Sequence, residues 1–218
     1  MGFTAYFKCS EGCSTLFNIL DTIYRCPNCN SLLSIYHDIN ALKTVSGNEW
    51  KQMFDSRYMK TEWPYGSGVW GKKEFVLPNI ENSNIVSLYE GGTNLFWAER
   101  LGNIIGLNDL WVKQCGNSHT GSFKDLGMTV LVSNVKQKIA NGGKIKAVIC
   151  ASTGDTSAAM AAYASSVKNM KGIVLIPNGK ISPEQLAQPI GSGASTIGIN
   201  TDFDGNRHVN RLKKIDNY

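Results

Sequence analysis

Three groups of residues in this 218-residue sequence have types and spacings that suit chemistry. The first is Cys9, Cys13, Cys26 and Cys29, a C-x3-C-x12-C-x2-C pattern with turn formers Gly12, Pro27 and Asn28 inside its short loops. Two such knuckles can aim four thiolates at one point, which is what a tetrahedral zinc ion with sulfur ligands at about 2.3 Å requires. The set would be closed, hence structural and not catalytic. Two disulfides or four free thiols are the alternatives, and a cytosolic setting disfavours the disulfides.

The other two groups are loops. Gly116 to Lys124, GNSHTGSFK, sets one lysine at the start of a long apolar segment. The positive end of a helix dipole disfavours a cation in the first turn, so the spot suits a nucleophilic amine better than a surface charge. Taken alone, the feature is better explained by an ordinary exposed lysine that tolerates a small penalty. Ala151 to Ser157, ASTGDTS, joins a strand to a helix. Its amides and the hydroxyls of Ser152, Thr153 and Thr156 could grip a carboxylate or phosphate, with Asp155 as a cap. A merely well-capped helix is the plainer alternative.

These loops need elements to hold them. Residues 1–36 read as a zinc-ribbon-like segment with short strands at Thr22 to Arg25 and Leu32 to Tyr36. Residues 37–84, rich in Trp50, Trp63, Tyr65 and Trp70, read as an irregular connector whose aromatics form core. Residues 85–205 follow α/β grammar. A helix is expected over Asn94 to Ile105, with Leu95, Ala98, Leu101, Ile104 and Ile105 on one face. A strand follows at Leu110 to Lys113, and then a helix over Phe123 to Ala140 with Ser122 as N-cap and Met128, Leu131, Val132, Val135 and Ile139 as its apolar face. Lys146 to Cys150, Gly172 to Pro177 and Ser195 to Asn200 read as strands, and Thr156 to Val167 and Pro183 to Pro189 as helices. That alternation implies right-handed crossovers and a mostly parallel sheet, in which ligands bind at the carboxyl ends of strands. Residues 206–218 form a basic tail.

Composition narrows the classes. Hydrophobic residues make 42% and charged residues 18%, with 22 glycines and 6 prolines, so the chain is neither collagen-like nor compositionally disordered. No run approaches the roughly 20 apolar residues that span a bilayer, and the N-terminus lacks the form of a signal peptide, so no membrane partner is expected and the cytoplasm is the default. A nucleic-acid-binding ribbon would need a basic face. Between Cys9 and Cys29 only Arg25 is basic, against Glu11 and Asp21, and the formal net charge of +5 is mild. No nucleic-acid partner is expected; a non-catalytic ribbon-containing binding protein remains the competing class.

Taken together, T-G-S-F-K-D at Thr120 to Asp125, with Lys113 before it, and S-T-G-D-T-S-A at Ser152 to Ala158 resemble the threonine synthase family. So do WPYGSGVW at Trp63 to Trp70, NLFWAER at Asn94 to Arg100 and SHTGSFKDLGMTVLV at Ser118 to Val132, in the form found in plants and some bacteria. The resemblance runs from about residue 5 to 205 and includes the cysteine-rich start. It implies a fold-type-II pyridoxal-phosphate enzyme (tryptophan synthase β-like) that converts O-phosphohomoserine and water to threonine and phosphate, homo-oligomeric at full length. By match to the motif, Lys124 would carry the cofactor and then shuttle protons. Asp155 would stand beside the cofactor's phenolic oxygen, and Lys113, Thr120, Ser152 and Thr153 would hold the substrate's anionic ends. Against the broader pattern K-x-E-G-x-N-P-T-G-S-F-K-D-R-G, this sequence has Cys115 for Glu, Ser118 and His119 for Asn-Pro, and Leu126 for Arg. That favours threonine synthase over amino-acid dehydratases and cysteine synthases. The family's second glycine-rich phosphate loop is not found here, so the expectation is an incomplete fold, truncated at its C-terminus and inactive alone.

Overall fold

The computed structural model describes residues 2–179 and 181–200; the expected basic tail lies outside them. The N-terminal unit is an antiparallel sheet of β1 (Ala5–Cys9), β2 (Leu16–Asn18) and β3 (Leu33–His37) in the order β2-β1-β3. Of the two strands expected here, the second forms as β3. Thr22 to Arg25 is not a strand: it follows a turn in which Asn18 Oδ1 accepts from the Leu20 amide and Asp21 Oδ2 from the Asn18 amide.

The connector is more regular than its sequence implies. It holds α1 (Ile39–Leu42), α2 (Gly47–Arg57) and α3 (Lys73–Val76), with 3-10 turns at Trp70–Lys72 and Asn82–Asn84. A capping box starts α2: the Glu49 amide donates to Ser46 Oγ and the Ser46 amide to Glu49 Oε2. Trp50 is buried among Phe3, Phe54 and Phe75, with ring centroids 4.8 to 5.5 Å apart. Trp70 is wholly buried, whereas Trp63 lies at the surface, so the aromatic core is real but not complete.

Residues 94–105 depart from expectation at their start. Leu95–Trp97 is a strand, β4, and only Glu99–Ile105 is helical, α4, closed by Gly106 in the left-handed region at φ 76°. β4 pairs antiparallel with β5 (Trp111–Lys113), so the strand expected at Leu110 to Lys113 forms a hairpin-like pair outside the parallel sheet. Three aromatic and aliphatic residues sit on both a helical and an extended pattern, and pairing decides between them.

The remainder matches the α/β reading closely. α5 (Lys124–Ala140) leads to β6 (Ala147–Ala151), α6 (Asp155–Ser165), β7 (Lys171–Pro177), α7 (Pro183–Gly191) and β8 (Ser195–Ile199). The three strands form a parallel sheet in the order β6-β7-β8. Every residue of α6 from Ser157 to Ala164 is buried, and its alanines let α5 and α7 pack closely on either side. One core joins Val132, Met160, Tyr163, Val174 and Ile176; a second joins Ile19, Trp70, Leu77, Ile80 and Ile85.

α5 stands between these cores; of its expected apolar face Val132 is buried and Met128, Val135 and Ile139 pack against the first core, but the helix also buries a polar stripe. Leu131 is largely exposed, while Asp125, Thr129, Ser133 and Gln137 are buried at intervals of four. Each is satisfied by the connector or by the loop before the helix. Thr129 Oγ1 donates to Val86 O and accepts from Trp70 Nε1, both at 2.7 Å. Ser133 Oγ accepts from the Val86 amide at 2.8 Å, and Gln137 Oε1 from the Glu81 amide at 2.9 Å.

A second buried carboxylate, Glu90, accepts from Ser67 Oγ at 2.5 Å, Ser87 Oγ at 2.9 Å, the Leu88 amide at 3.0 Å and Tyr163 Oη at 2.8 Å. Here two backbone segments cross so closely that a Cβ on Gly68 would lie 2.0 Å from the Gly92 nitrogen. Four donors and no acceptor face Glu90, so Glu90→Gln would turn an amide NH2 against one of them. It should lower the stability by about 1–3 kcal/mol, read as a fall in the urea midpoint; an unchanged midpoint would refute the tie.

Arg57 and Glu74 form the one ion pair among the described residues, bidentate at 2.7 and 2.9 Å. Burial pushes the Glu74 carboxyl up, but the Arg57 guanidinium, with the backbone amide, outweighs it and holds the group below the usual Glu range. A depressed folded-state value means stability that is present above the ordinary Glu titration, near 4.3, and lost as pH falls through the lower folded value. Acid unfolding of Glu74→Gln should therefore show a shallower loss across that window; an identical acid limb would sink the assignment.

Candidate active site

The lysine loop is organised from below by Asp125, which is fully buried in the first turn of α5. Its carboxylate accepts from Ser118 Oγ at 2.8 Å, the Thr120 amide at 2.8 Å and Thr120 Oγ1 at 2.6 Å. An acceptor at a helix N-terminus is favoured by the dipole and by these donors together. Gly121 makes the turn at φ 78°, and a Cβ on Gly116 would come within 3.1 Å of the Gly121 carbonyl, so the loop closes on itself. From α7, Gln188 Nε2 donates to the Thr120 carbonyl at 3.3 Å.

Lys124 is the first residue of α5 and is half-buried. The N-cap is Phe123, not the expected Ser122; the Ser122 hydroxyl instead accepts from the Lys124 amide at 3.2 Å. The Lys124 ammonium lies 4.2 Å from the centroid of the exposed Phe123 ring and has no carboxylate partner. Its backbone is therefore fixed while its amine is available.

The second loop follows β6. Gly154, not Asp155, is the N-cap of α6, and no side chain caps it. Ser157 Oγ donates to the Gly154 carbonyl at 2.6 Å, and Ser152 Oγ accepts from the Gly154 amide at 3.4 Å. Asp155 is exposed and its carboxylate bonds nothing among the described residues. The Ser157 amide donates to the Gly154 carbonyl at 3.0 Å, while those of Asp155 and Thr156 have no acceptor among the described residues, so this end offers donors to an anion.

Lys113, at the end of β5, is exposed, and its ammonium donates to the Thr93 carbonyl. Thr120 spends both its amide and its hydroxyl on Asp125. The structure thus joins Thr120 directly to the helix of Lys124, and packs α5 against α6, whose N-terminal loop carries Ser152, Thr153 and Asp155. A half-buried amine with no salt bridge among the described residues suits an aldehyde, and the open amides at the start of α6 suit an anion; pyridoxal phosphate offers both groups.

Two supporting carboxylates escaped the sequence reading. Asp125 lies inside the quoted T-G-S-F-K-D motif but had no role there, and Glu90 carried no signal beyond the following Gly91-Gly92. Both act on Tyr163 of α6. Burial, then the charge and hydrogen bond of Glu90 and the charge of Asp125, push its phenol far above the ordinary range, so it remains a donor.

The four ribbon cysteines converge as the spacing implies. Their sulfurs all lie within 4.8 Å of one another, with Cys29 Sγ 3.4 Å from Cys9 Sγ and 3.5 Å from Cys13 Sγ. Donation from Ser31 and the neighbouring thiols holds Cys29 down to about 6, while Cys13, which donates to it, is pushed up to about 12. Cys150 is raised to about 11 by burial, as suits an inert core thiol. No described helix is long and apolar enough to cross a membrane.

Comparison with known proteins agrees with this geometry. Residues 86–218, the larger part of the chain, match the family described as "Pyridoxal-phosphate dependent enzyme". The chain is 51% identical over 206 residues to Threonine synthase 2, chloroplastic, of Arabidopsis thaliana, covering 94% of this chain and 40% of that protein. It is 40% identical over 192 residues to Threonine synthase of Methanocaldococcus jannaschii, covering 88% of this chain and 43% of that protein. It thus spans about two fifths of the length of these relatives. The fold is also that of the crystal structure of pyridoxal-phosphate-bound threonine synthase from Brucella melitensis, with a TM-score of 0.58 at 17% identity, over 96% of this chain and 45% of that one. By these matches the chain belongs to the pyridoxal-phosphate-dependent enzyme family, as a homologue of threonine synthase.

Proposed function

We propose that this chain carries the cofactor lysine and the anion-gripping loop of a threonine synthase, the lyase that makes threonine and phosphate from O-phosphohomoserine and water. The observation that carries the reading is Lys124 itself: a half-buried amine with no carboxylate partner, on a backbone pinned by the buried Asp125. When bound, pyridoxal phosphate supplies the electron sink for carbanion chemistry at the substrate.

The protein's own residues then have separable tasks. Lys124 would hold the cofactor, and its amine would take and return protons at the substrate's Cα and Cβ. Asp125 keeps the lysine's backbone still through its bonds to Ser118 and Thr120. Ser152, Thr153 and the first amides of α6 offer donors to the carboxylate or phosphate of the substrate, and Lys113 adds a cation that can exchange the Thr93 carbonyl for it. Asp155, exposed at the start of α6, would stand beside the cofactor's phenolic oxygen.

Two measurements test this. Incubation with pyridoxal phosphate followed by borohydride should leave the cofactor's mass on Lys124, and Lys124→Ala should lose that adduct; labelling spread evenly over other lysines would overturn the assignment. Prior addition of O-phosphohomoserine should release Lys124 and reduce the adduct by about tenfold or more, as expected when a substrate amine competes with saturating affinity. Serine or O-acetylserine should do this poorly. Release by those amino acids and not by O-phosphohomoserine would point to a dehydratase or a cysteine synthase instead.

A further inference from the structure

The N-terminal sheet has almost no core of its own. Among residues 2–37 only Ala5, Cys9, Ile19 and Cys26 are buried, and two of these four are cysteines. Leu16, Tyr24, Leu32, Ile35 and Tyr36 are all exposed. Between this sheet, α5 and β6 lies a hollow of about 550 Å³, lined by Phe7, Ile23, Ile35, Leu131, Val135 and Ile149, so apolar packing against the rest of the molecule is incomplete as well. A three-stranded unit this small does not hold together on such burial; units of its size need a cross-link or a metal.

The cysteines are placed to supply it, and their geometry selects among cross-links. A zinc ion with four sulfurs at about 2.3 Å sets neighbouring sulfurs roughly 3.8 Å apart. The observed separations, from 3.4 Å to no more than 4.8 Å, lie on both sides of that value, so closing on an ion needs shifts of at most about 1 Å. A disulfide needs about 2.05 Å. Cys29 stands equally far from Cys9 and Cys13, so no pairing is prepared, and all six cysteines are free.

The knuckles also have the supporting bonds of a metal site. The Glu11 amide donates to Cys9 Sγ at 3.4 Å. The Asn30 amide donates to the Cys26 carbonyl, and the Cys26 amide to the Ser31 carbonyl, both at 2.8 Å. Asn30 turns the second knuckle at φ 62°. Partners that orient ligands in this way are characteristic of ligated sulfur.

We propose that Cys9, Cys13, Cys26 and Cys29 bind one zinc ion, and that this ion braces the ribbon against the distal half of α5. The segment between the second and third ligands makes the contact. Ile19 enters the second core beside Trp70 and Leu77, Asn134 Nδ2 donates to the Ile19 carbonyl at 3.5 Å, and Lys138 Nζ donates to the Asp21 carbonyl at 3.1 Å. Fixing both ends of that segment at one metal holds these contacts in register. Lys124 lies ten and fourteen residues away along the same helix, about 15–21 Å at 1.5 Å per residue. The ion is therefore a brace and takes no part in the chemistry at Lys124, and the proposal stands whether or not the pyridoxal reading does.

The test uses the whole chain. Native mass spectrometry after gel filtration should show one zinc per chain, lost in Cys9→Ser/Cys26→Ser and retained in Cys115→Ser. Chelation of the wild type should expose four further thiols to a thiol reagent. It should also reduce hydrogen-exchange protection of β1 and β3 at least about 100-fold, leave β7 protected, and be reversed by added zinc. A chain without stoichiometric metal whose β1 and β3 amides exchange equally with and without zinc would overturn the proposal. So would a mass four hydrogens short, marking two disulfides, or stoichiometric iron in place of zinc.

Discussion

The hydrogen bonds along the buried face of α5 are the constraint on which the rest of the molecule depends. Asp125, Thr129, Ser133 and Gln137 are polar, buried and spaced by four, so they form one stripe along the helix. Each leaves a group that would cost about 1–3 kcal/mol if buried without a partner. The partners are fixed backbone atoms of Val86 and Glu81, the Trp70 indole, and the loop before the helix. Sliding or turning the helix by one residue would strand all of them at once. Apolar packing tolerates small shifts; this stripe does not, and it sets where Lys124 begins the helix.

The stripe has a counterpart in the buried carboxylates. Asp125 and Glu90 both bear on Tyr163, and both are surrounded by donors. Glu90 ties the Ser67 to Trp70 turn, the Ser87 to Leu88 turn and α6 into one node, at a point where glycines let two backbones cross. Through it the aromatic connector is joined to the helix that follows the anion-gripping loop. The two candidate loops are thus held on α5 and α6 by buried carboxylates, while Lys113 and Asp155 are exposed and Lys124 is half-buried.

This explains how far the sequence could be read. α5, β7, α7 and β8 were legible to within a residue or two because runs of Val, Ile and Leu bounded by Gly, Ser and Pro have little else to do. The lysine and hydroxyl loops were legible because their residue types are unusual for surface turns. β4 was not. Leu95, Phe96 and Trp97 have no preference that a three-residue strand could express, and only the partner Trp111 to Lys113 makes them extended. The polar stripe of α5 was missed for a related reason: hydropathy looks for apolar faces, and Thr129, Ser133 and Gln137 are buried through bonds to atoms more than forty residues away in sequence. Glu90 had no local signature because its donors come from three separate segments.

The two ends of α5 meet different demands, and this accounts for the placement of the ribbon. At the first turn, short side chains and backbone amides fix the loop through Asp125 and Ser122, and the Lys124 ammonium meets only the Phe123 ring among the contacts of the described residues. The last two turns have no ligand to admit. There Asn134 and Lys138 reach the carbonyls of Ile19 and Asp21, and Val130 packs with the ribbon's buried Ile19 in the second core. A brace at that end stiffens the helix along its length without crowding the amine. The same unit docked at the first turn would close the approach to Lys124, so its attachment far from the lysine follows from what the lysine must do.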